Sequence, residues 1–392
     1  MTITENDNRI IIALEGRIDT VNAPDIEREA LAALGEYEGK QVVIDAEKLE
    51  YISSAGLRVL LRLSKMFDKP LEVINISMEV YEIFEVTGFT EILDVKKAYR
   101  KLSVDGMELI GRGLTGEVYR ADKETVIKVF NANINFDMLI AQENKKAKNA
   151  FISGVPTAIP YDIVKVGDRF GTVYELLNAK DLVTVIDEDK AHMDDYIRMF
   201  AKTVKQMHSI EVDPERFPST KDGSINALSY LASILNEDEM RKVRELYENI
   251  PERNTFIHGD CHIGNAMLQD DELMFIDLAT AGKGHPIFDM VSMYSLFVER
   301  GNNDKAIAES PILSRFTKEE INRIWSVFIR TYLDTDDEEF IKKAERQIGA
   351  LSLARRLFMV IAVPGVLTPE AINAMKQAVV AYYDSGLEPI CF

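Results

Sequence analysis

Three oxygen-bearing side chains close together carry the most chemistry in this 392-residue chain. Asp260 and Asn265 lie five residues apart in His258-Gly259-Asp260-Cys261-His262-Ile263-Gly264-Asn265, and Asp277 ends the apolar run Leu273-Met274-Phe275-Ile276. Phosphoryl transfer needs a carboxylate to orient an attacking hydroxyl and accept its proton. It also needs hard oxygen ligands to hold magnesium on the phosphates. Asp260 is the candidate for the first task, and Asn265 and Asp277 are the candidates for the second.

The spacing is that of a kinase catalytic loop, HRDxxxxN, with a metal-binding aspartate after it. Upstream, Gly111-Arg-Gly113-Leu-Thr-Gly116-Glu-Val118 fits GxGxxGxV, in which missing side chains let backbone amides approach phosphate oxygens. A dinucleotide-binding loop shares the glycine spacing but runs from strand into helix, whereas a β-type run, Glu117 to Arg120, follows here. Twelve residues beyond Gly116, Lys128 in Thr-Val-Ile-Lys-Val-Phe suits a lysine reaching the α- and β-phosphates, and Glu143, on the helix expected over Asp137 to Phe151, is its expected partner. Glu124 is too close in sequence to serve. His258 and His262 beside Cys261 suggest zinc less well, because no second ligand cluster follows; His258 is expected to orient the loop. No GxSxG elbow supports a serine hydrolase.

These side chains need elements to position them. Met107 to Ile110, Glu117 to Arg120 and Thr125 to Phe130 read as an antiparallel meander. From Asp189 onward helical periodicity dominates, broken by short strands near Ala266 to Leu268 and Leu273 to Ile276 and by Gly/Pro breaks at 282 to 286 and 364 to 369. The first hundred residues alternate differently: strands at 9–14, 41–45 and 73–76, with helices at 25–34, 57–67 and 78–86. The last helix ends at Thr87-Gly88, where glycine suits a left-handed C-cap. Ser54 falls at the N-cap position of the second helix, where a phosphate would meet free N–H groups and the positive end of the helix dipole. It is a candidate regulatory phosphoserine, with plain helix capping as the alternative.

Bulk composition bounds the class. Lys and Arg number 46 against 65 Asp and Glu, a net charge of −19, which disfavours nucleic acid and anionic membranes as partners. Two distant cysteines suggest neither disulfides nor a zinc site, and a reducing cytoplasm fits. The first ten residues lack the pattern of a signal peptide. The apolar stretches Met290 to Val298 and Leu357 to Leu367 fall short of the roughly 20 residues of a membrane span, so both read as buried helix. The acidic runs Asp187 to Asp189, Asp194-Asp195 and Asp334 to Glu339 read as solvated helix ends, with attraction of a cationic acceptor as the alternative.

The stretch Asp45 to Leu63, with Leu14 to Pro24, resembles the STAS domain of bacterial anti-sigma factor antagonists over about residues 1 to 98. That resemblance implies phosphorylation at Ser54 and a protein partner, although Ser53 stands where that family often has aspartate. The His258-Gly259-Asp260, His262, Asn265 and Asp277 set resembles the aminoglycoside phosphotransferase family, which includes choline and other small-molecule kinases, over about residues 104 to 392. It implies a nucleotide hinge near Tyr174 to Leu177, with Glu175 and Leu177 as binding residues. It also implies a later element at Gly284-His285-Pro286-Ile287-Phe288-Asp289, with histidine in place of a frequent aspartate, and a suggested reach of Phe392 to the acceptor site. The expected architecture is a STAS-type α/β domain (1–100) followed by a bilobal protein-kinase-like α+β domain (104–392), with lobes of about 104–176 and 177–392. Gly259 in place of the HRD arginine, Leu278-Ala279 in place of Phe-Gly and the lack of an APE motif favour a small hydroxyl-bearing acceptor over a protein. The expected activity is ATP- and magnesium-dependent phosphorylation of that acceptor; the alternative is a STAS-centred signalling module with a nucleotide-binding or protein-phosphorylating half.

Overall fold

The computed structural model describes residues 1–5, 9–35, 39–113, 115–134, 139–362 and 368–392. The chain divides into two compact units, Met1–Leu102 and Ser103–Phe392.

In the first unit, strands β1 (Thr2–Glu5), β2 (Arg9–Ile18), β3 (Gln41–Ile52), β4 (Glu72–Ile76) and β5 (Asp94–Lys97) form one sheet in sequence order. The β1–β2 pair is antiparallel and the rest are parallel. Parallel neighbours need crossovers, and helices α1 (Ala23–Leu34), α2 (Ser54–Ser64) and α3 (Met78–Val86) supply them. Ile10, Ile12 and Leu14 alternate inward along β2, and Leu57, Leu60 and Leu63 bury one face of α2. Gly56 lets α2 approach the sheet, because a Cβ there would lie 2.6 Å from Ile52 Cγ1 and 2.7 Å from Ile18 Cγ2. Gly88, at φ +75°, ends α3 in the expected left-handed conformation.

Ser54, expected at the N-cap position of α2, does not occupy it. The N-cap of α2 is Ser53, in extended conformation with its Oγ accepting the Gly56 N–H at 3.4 Å. Ser54 is the first helical residue and is exposed. Two adjacent serines compete for a cap, and the residue whose backbone is still extended wins it. Ser54 is thereby released from capping.

The second unit opens with the antiparallel meander Glu108–Arg112, Gly116–Arg120 and Thr125–Phe130, joined across Thr125–Phe130 to the hairpin Arg169–Glu175/Pro160–Val166. The helix Ala141–Ile152 lies between these strand groups in sequence; its expected start at Asp137 falls outside the described residues. Beyond Leu182 the unit is mainly helical, around a core holding Phe200, Phe275 and Phe328. Two short pairs interrupt it: Ala266–Gln269 with Glu272–Phe275, and Thr255–Ile257 with Gly282–Gly284. The first was expected. In the second, Gly-Lys-Gly reads as a chain break, yet it pairs with Thr255–Ile257, and glycine is required at 282, where a Cβ would lie 2.7 Å from Thr220 Oγ1 and 2.8 Å from Pro218 O.

Met290 to Met293 are buried within the helix Ile287–Tyr294. The helix Glu338–Ala362 covers the start of the other apolar stretch, whose remainder, with Pro364, lies outside the described residues. Among the described residues no helix is long and apolar enough to cross a membrane.

Candidate active site

Lys128 lies in Thr125–Phe130, whose flanking residues Ile127 and Val129 are buried. Its Nζ lies 2.7 Å from Glu143 Oε1 and 3.2 Å from Asp277 Oδ1. Glu143, only 4% exposed, also accepts the Tyr174 hydroxyl at 3.3 Å. Burial works against the lysine's charge, but the two carboxylates outweigh it and hold its pKa above the usual value. Burial raises Glu143, with Lys128 opposing, and burial raises Tyr174 strongly. One turn beyond Glu143, Lys146 Nζ donates to Ala279 O at 2.7 Å, so this helix grips the segment after Asp277 at a second point.

Asp277 takes a left-handed backbone, φ +63° and ψ +64°, rare for a residue with a side chain and concentrated at functional sites. Asp260 keeps its carboxylate about half exposed, and Asn265 Nδ2 donates to Asp260 O at 2.9 Å and to Oδ2 at 3.4 Å. Since the amide NH2 is committed there, Asn265 Oδ1 remains as a hard acceptor. His258 is fully buried. Its Nδ1 accepts the Asp260 N–H at 3.3 Å, so Nε2 carries the proton and donates to Ile276 O at 3.0 Å. The histidine thus orients the loop, as expected. His262 Nδ1 caps the turn Ile263–Asn265 by accepting the Gly264 N–H, and burial lowers its pKa.

Sequence reasoning placed Asp289 in the later motif but missed what it does. Fully buried, it accepts the N–H groups of His258 at 2.8 Å and Gly259 at 2.6 Å, and a His208 ring N–H at 2.9 Å. Burial alone would raise its pKa; the His208 hydrogen bond leads the effects that bring it below the ordinary value. The other His208 nitrogen accepts from Tyr332 at 2.9 Å. Neither His208 nor Tyr332 belongs to a motif; the only signal was a histidine ending an amphipathic helix.

The glycine loop departs from a simple phosphate cradle. Gly113 N–H donates to Gly116 O at 2.9 Å, closing the turn, and Gly116 is required for strand packing, since a Cβ would lie 2.2 Å from Val129 O. Gly111 makes only ordinary contacts, and Leu114 lies outside the described residues. At the hinge, Glu175 N–H reaches Ile159 O at 2.9 Å and Leu176 N–H reaches Glu124 O at 2.7 Å, while Leu177 makes no such bond to described residues. Acidic runs are largely paired: Asp194 with Arg323 and Arg198, Asp187 with Lys190 and Arg315, and Asp336 and Glu338 with Arg330. His285 Nε2 faces Phe392 O at 3.0 Å.

The model of the phosphotransferase enzyme family matches residues 107–310, more than half of the chain, and that of the STAS domain matches residues 1–102. The putative anti-sigma factor antagonist BtrV of Bordetella bronchiseptica is 36% identical over 98 residues, covering 24% of this chain and 84% of that protein. A choline/ethanolamine kinase family protein from Mesorhizobium loti aligns at TM-score 0.44 and 15% identity over 72% of this chain and 88% of its own. The GDP and kanamycin complex of APH(2")-IIia aligns at TM-score 0.43 and 13% identity over 78% and 99%. The chain belongs to the phosphotransferase enzyme family and carries a STAS domain in residues 1–102.

Proposed function

We propose that residues 104–392 transfer the γ-phosphoryl group of ATP to a hydroxyl of a small molecule, and that residues 1–100 form a STAS module that regulates or places this activity. The observation that carries the reading is the convergence of Lys128 on both Glu143 and Asp277, beside an Asp260–Asn265 loop pinned by Asp289. Asp260 holds the acceptor hydroxyl and takes its proton as the oxygen bonds to the γ-phosphorus and the β–γ bridging bond breaks. Lys128, fixed by Glu143, steadies the α- and β-phosphates, with Gly111, Gly113 and Gly116 shaping the loop over them. Glu175 and Leu177 flank the nucleotide base. Asn265 Oδ1 and the Asp277 carboxylate form a hard-oxygen donor set that fits magnesium, which when bound neutralises charge on the phosphates.

The segment after Asp277 supports a small acceptor. It runs through the single turn Leu278–Thr280 directly into the strand Gly282–Gly284, leaving no long loop to grip a peptide. A signalling role for the STAS part is favoured by the exposure of Ser54 and its release from capping.

The test is magnesium-dependent ATP consumption against aminoglycosides, choline, amino sugars and a general protein substrate. Turnover with one small acceptor, lowered by about 10²- to 10⁴-fold in Asp260→Ala with nucleotide binding kept, is the expected result. Near-normal turnover in that variant would remove Asp260 from its role, and nucleotide binding without turnover would favour the signalling reading.

A further inference from the structure

The peptide groups leading into Asp260 are held by three side chains. His258 N–H and Gly259 N–H are taken by Asp289, His258 O by Thr280 Oγ1 at 3.1 Å, and Asp260 N–H by His258 Nδ1. That leaves the Gly259 carbonyl, which belongs to the same peptide plane as the Asp260 N–H and therefore sets the direction in which the Asp260 side chain leaves the chain. Gly259 cannot anchor itself. Its φ is +83°, and any Cβ would lie 2.5 Å from Thr280 O. The anchor comes from 96 residues away: Arg355, on the helix Glu338–Ala362, donates from one guanidinium nitrogen to Gly259 O at 3.2 Å and from the other to Ser292 Oγ at 2.6 Å. Ser292, buried on the helix Ile287–Tyr294, also points its hydroxyl at Gly259 O at 3.4 Å.

From this arrangement we infer that Arg355 is a positioning residue for phosphoryl transfer, a guanidinium fork that ties the Gly259–Asp260 peptide to the helical body through Ser292. The inference rests on the reading of Asp260 given above. A planar fork can satisfy a carbonyl and a hydroxyl at fixed angles together, which a lysine point charge cannot. The Arg355 contact to this carbonyl lies at the solvent-exposed side, so without the fork water competes for the carbonyl and the plane keeps only the longer bonds from Ser292 Oγ at 3.4 Å and from Asp260 N–H to His258 Nδ1 at 3.3 Å. A displacement of this kind near the reacting atoms costs rate out of proportion to its size. The contact acts through the backbone and needs no role for Arg355 in nucleotide binding.

Two readouts on the full-length chain test it. Magnesium-dependent ATP turnover is measured for wild type, Asp260→Ala, Arg355→Ala and Arg355→Lys, and amide hydrogen exchange is followed in the peptide spanning residues 256–265. Arg355→Ala is expected to lower kcat about 10- to 100-fold with the KM for ATP unchanged and the thermal midpoint lowered by no more than a few degrees, the span set by losing a hydrogen bond to a charged group. It should speed exchange in the 256–265 peptide while leaving the helices Met193–Met207 and Lys318–Leu333 alone. Arg355→Lys should recover part of kcat through the Gly259 contact. Unchanged exchange in the loop, or an unchanged kcat, overturns the inference. An effect confined to the acceptor KM overturns it too, by making Arg355 a binding residue. Wild type without turnover, or Asp260→Ala equal to wild type, overturns the phosphotransferase reading itself, and these outcomes are separate from a failure of Arg355 alone.

Discussion

At the scale of single residues, the protein distinguishes carboxylates left open to a ligand from buried groups held in one charge state by their partners. Asp260 and Asp277 keep exposed carboxylates, whereas Asp289, fully buried, stays charged by accepting three N–H donors. His285 is the opposite case. It is 1% exposed, its Nδ1 accepts the Ile287 N–H at 3.1 Å, and its Nε2 proton goes to Phe392 O. Both nitrogens are satisfied only in the neutral ring. Burial first, and the Arg253 charge second, push its pKa down to about 4. The unfolded chain, with an ordinary imidazole near 6.5, therefore binds more protons than the folded one between pH 6.5 and 4, so stability conferred by the neutral ring is lost as pH falls through that window. The loss reaches about 3 kcal/mol at most, from about 2.5 pH units at about 1.36 kcal/mol each. Urea unfolding of wild type and His285→Asn at pH 7 and pH 4 checks it. The stability gap between them should shrink toward pH 4, and a gap independent of pH would show that His285 does not titrate in this way.

At the scale of elements, the His258–Asn265 loop depends on how closely its turn meets the segment after Asp277. Gly259 adopts φ +83° against Thr280, and a methyl group there meets both a forbidden backbone region and a carbonyl oxygen at 2.5 Å. Gly259→Ala should cost on the order of 1–3 kcal/mol of stability and lower turnover by at least about 10-fold, because the residue next in line is Asp260. Calorimetry and ATP turnover on the variant measure both, and a wild-type melting midpoint would contradict the close approach. Elements with a strong local signal were legible in sequence: the β-branched run at 9–14 lies within the longer strand Arg9–Ile18, the strand–turn–strand order from Met107 to Phe130 is the meander, and the helical periodicity beyond Asp189 includes the helix Met193–Met207. The strand Gly282–Gly284 was not, because its sequence has no β-propensity and tertiary contact alone selects it. The Ser53 cap was missed since two serines in a row carry identical local signals. Of the candidate site, the residues carried by motif spacing were legible; His208, Tyr332, Lys146 and Ser292 were not, because their contacts lie 33 to 133 residues away and no local spacing encodes them.

At the scale of the whole molecule, two hydrophobic cores imply two cooperative units. Ile12, Ile44, Val73 and Phe84 belong to the core of Met1–Leu102, whereas Phe200, Phe275 and Phe328 belong to that of Ser103–Phe392. A domain of about 100 residues can bury enough of its chain to fold alone. The fragment Met1–Leu102 is therefore expected to unfold in one cooperative thermal transition by circular dichroism. Phe84 is fully buried and packs edge-to-face on Phe89 with centroids 6.2 Å apart. Truncating such a ring costs about 3–5 kcal/mol, and at about 4–8 °C per kcal/mol for a domain of this size, Phe84→Ala should lower the fragment's midpoint by at least about 10 °C. Every proposed catalytic group falls between Gly111 and Asp277, so the Ser103–Phe392 fragment should keep its magnesium-dependent ATP turnover within about twofold of the full chain's basal rate. A non-cooperative melt of the first fragment would refute its independence. Loss of turnover in the second would mean that residues 1–102 take part in catalysis itself rather than in its regulation.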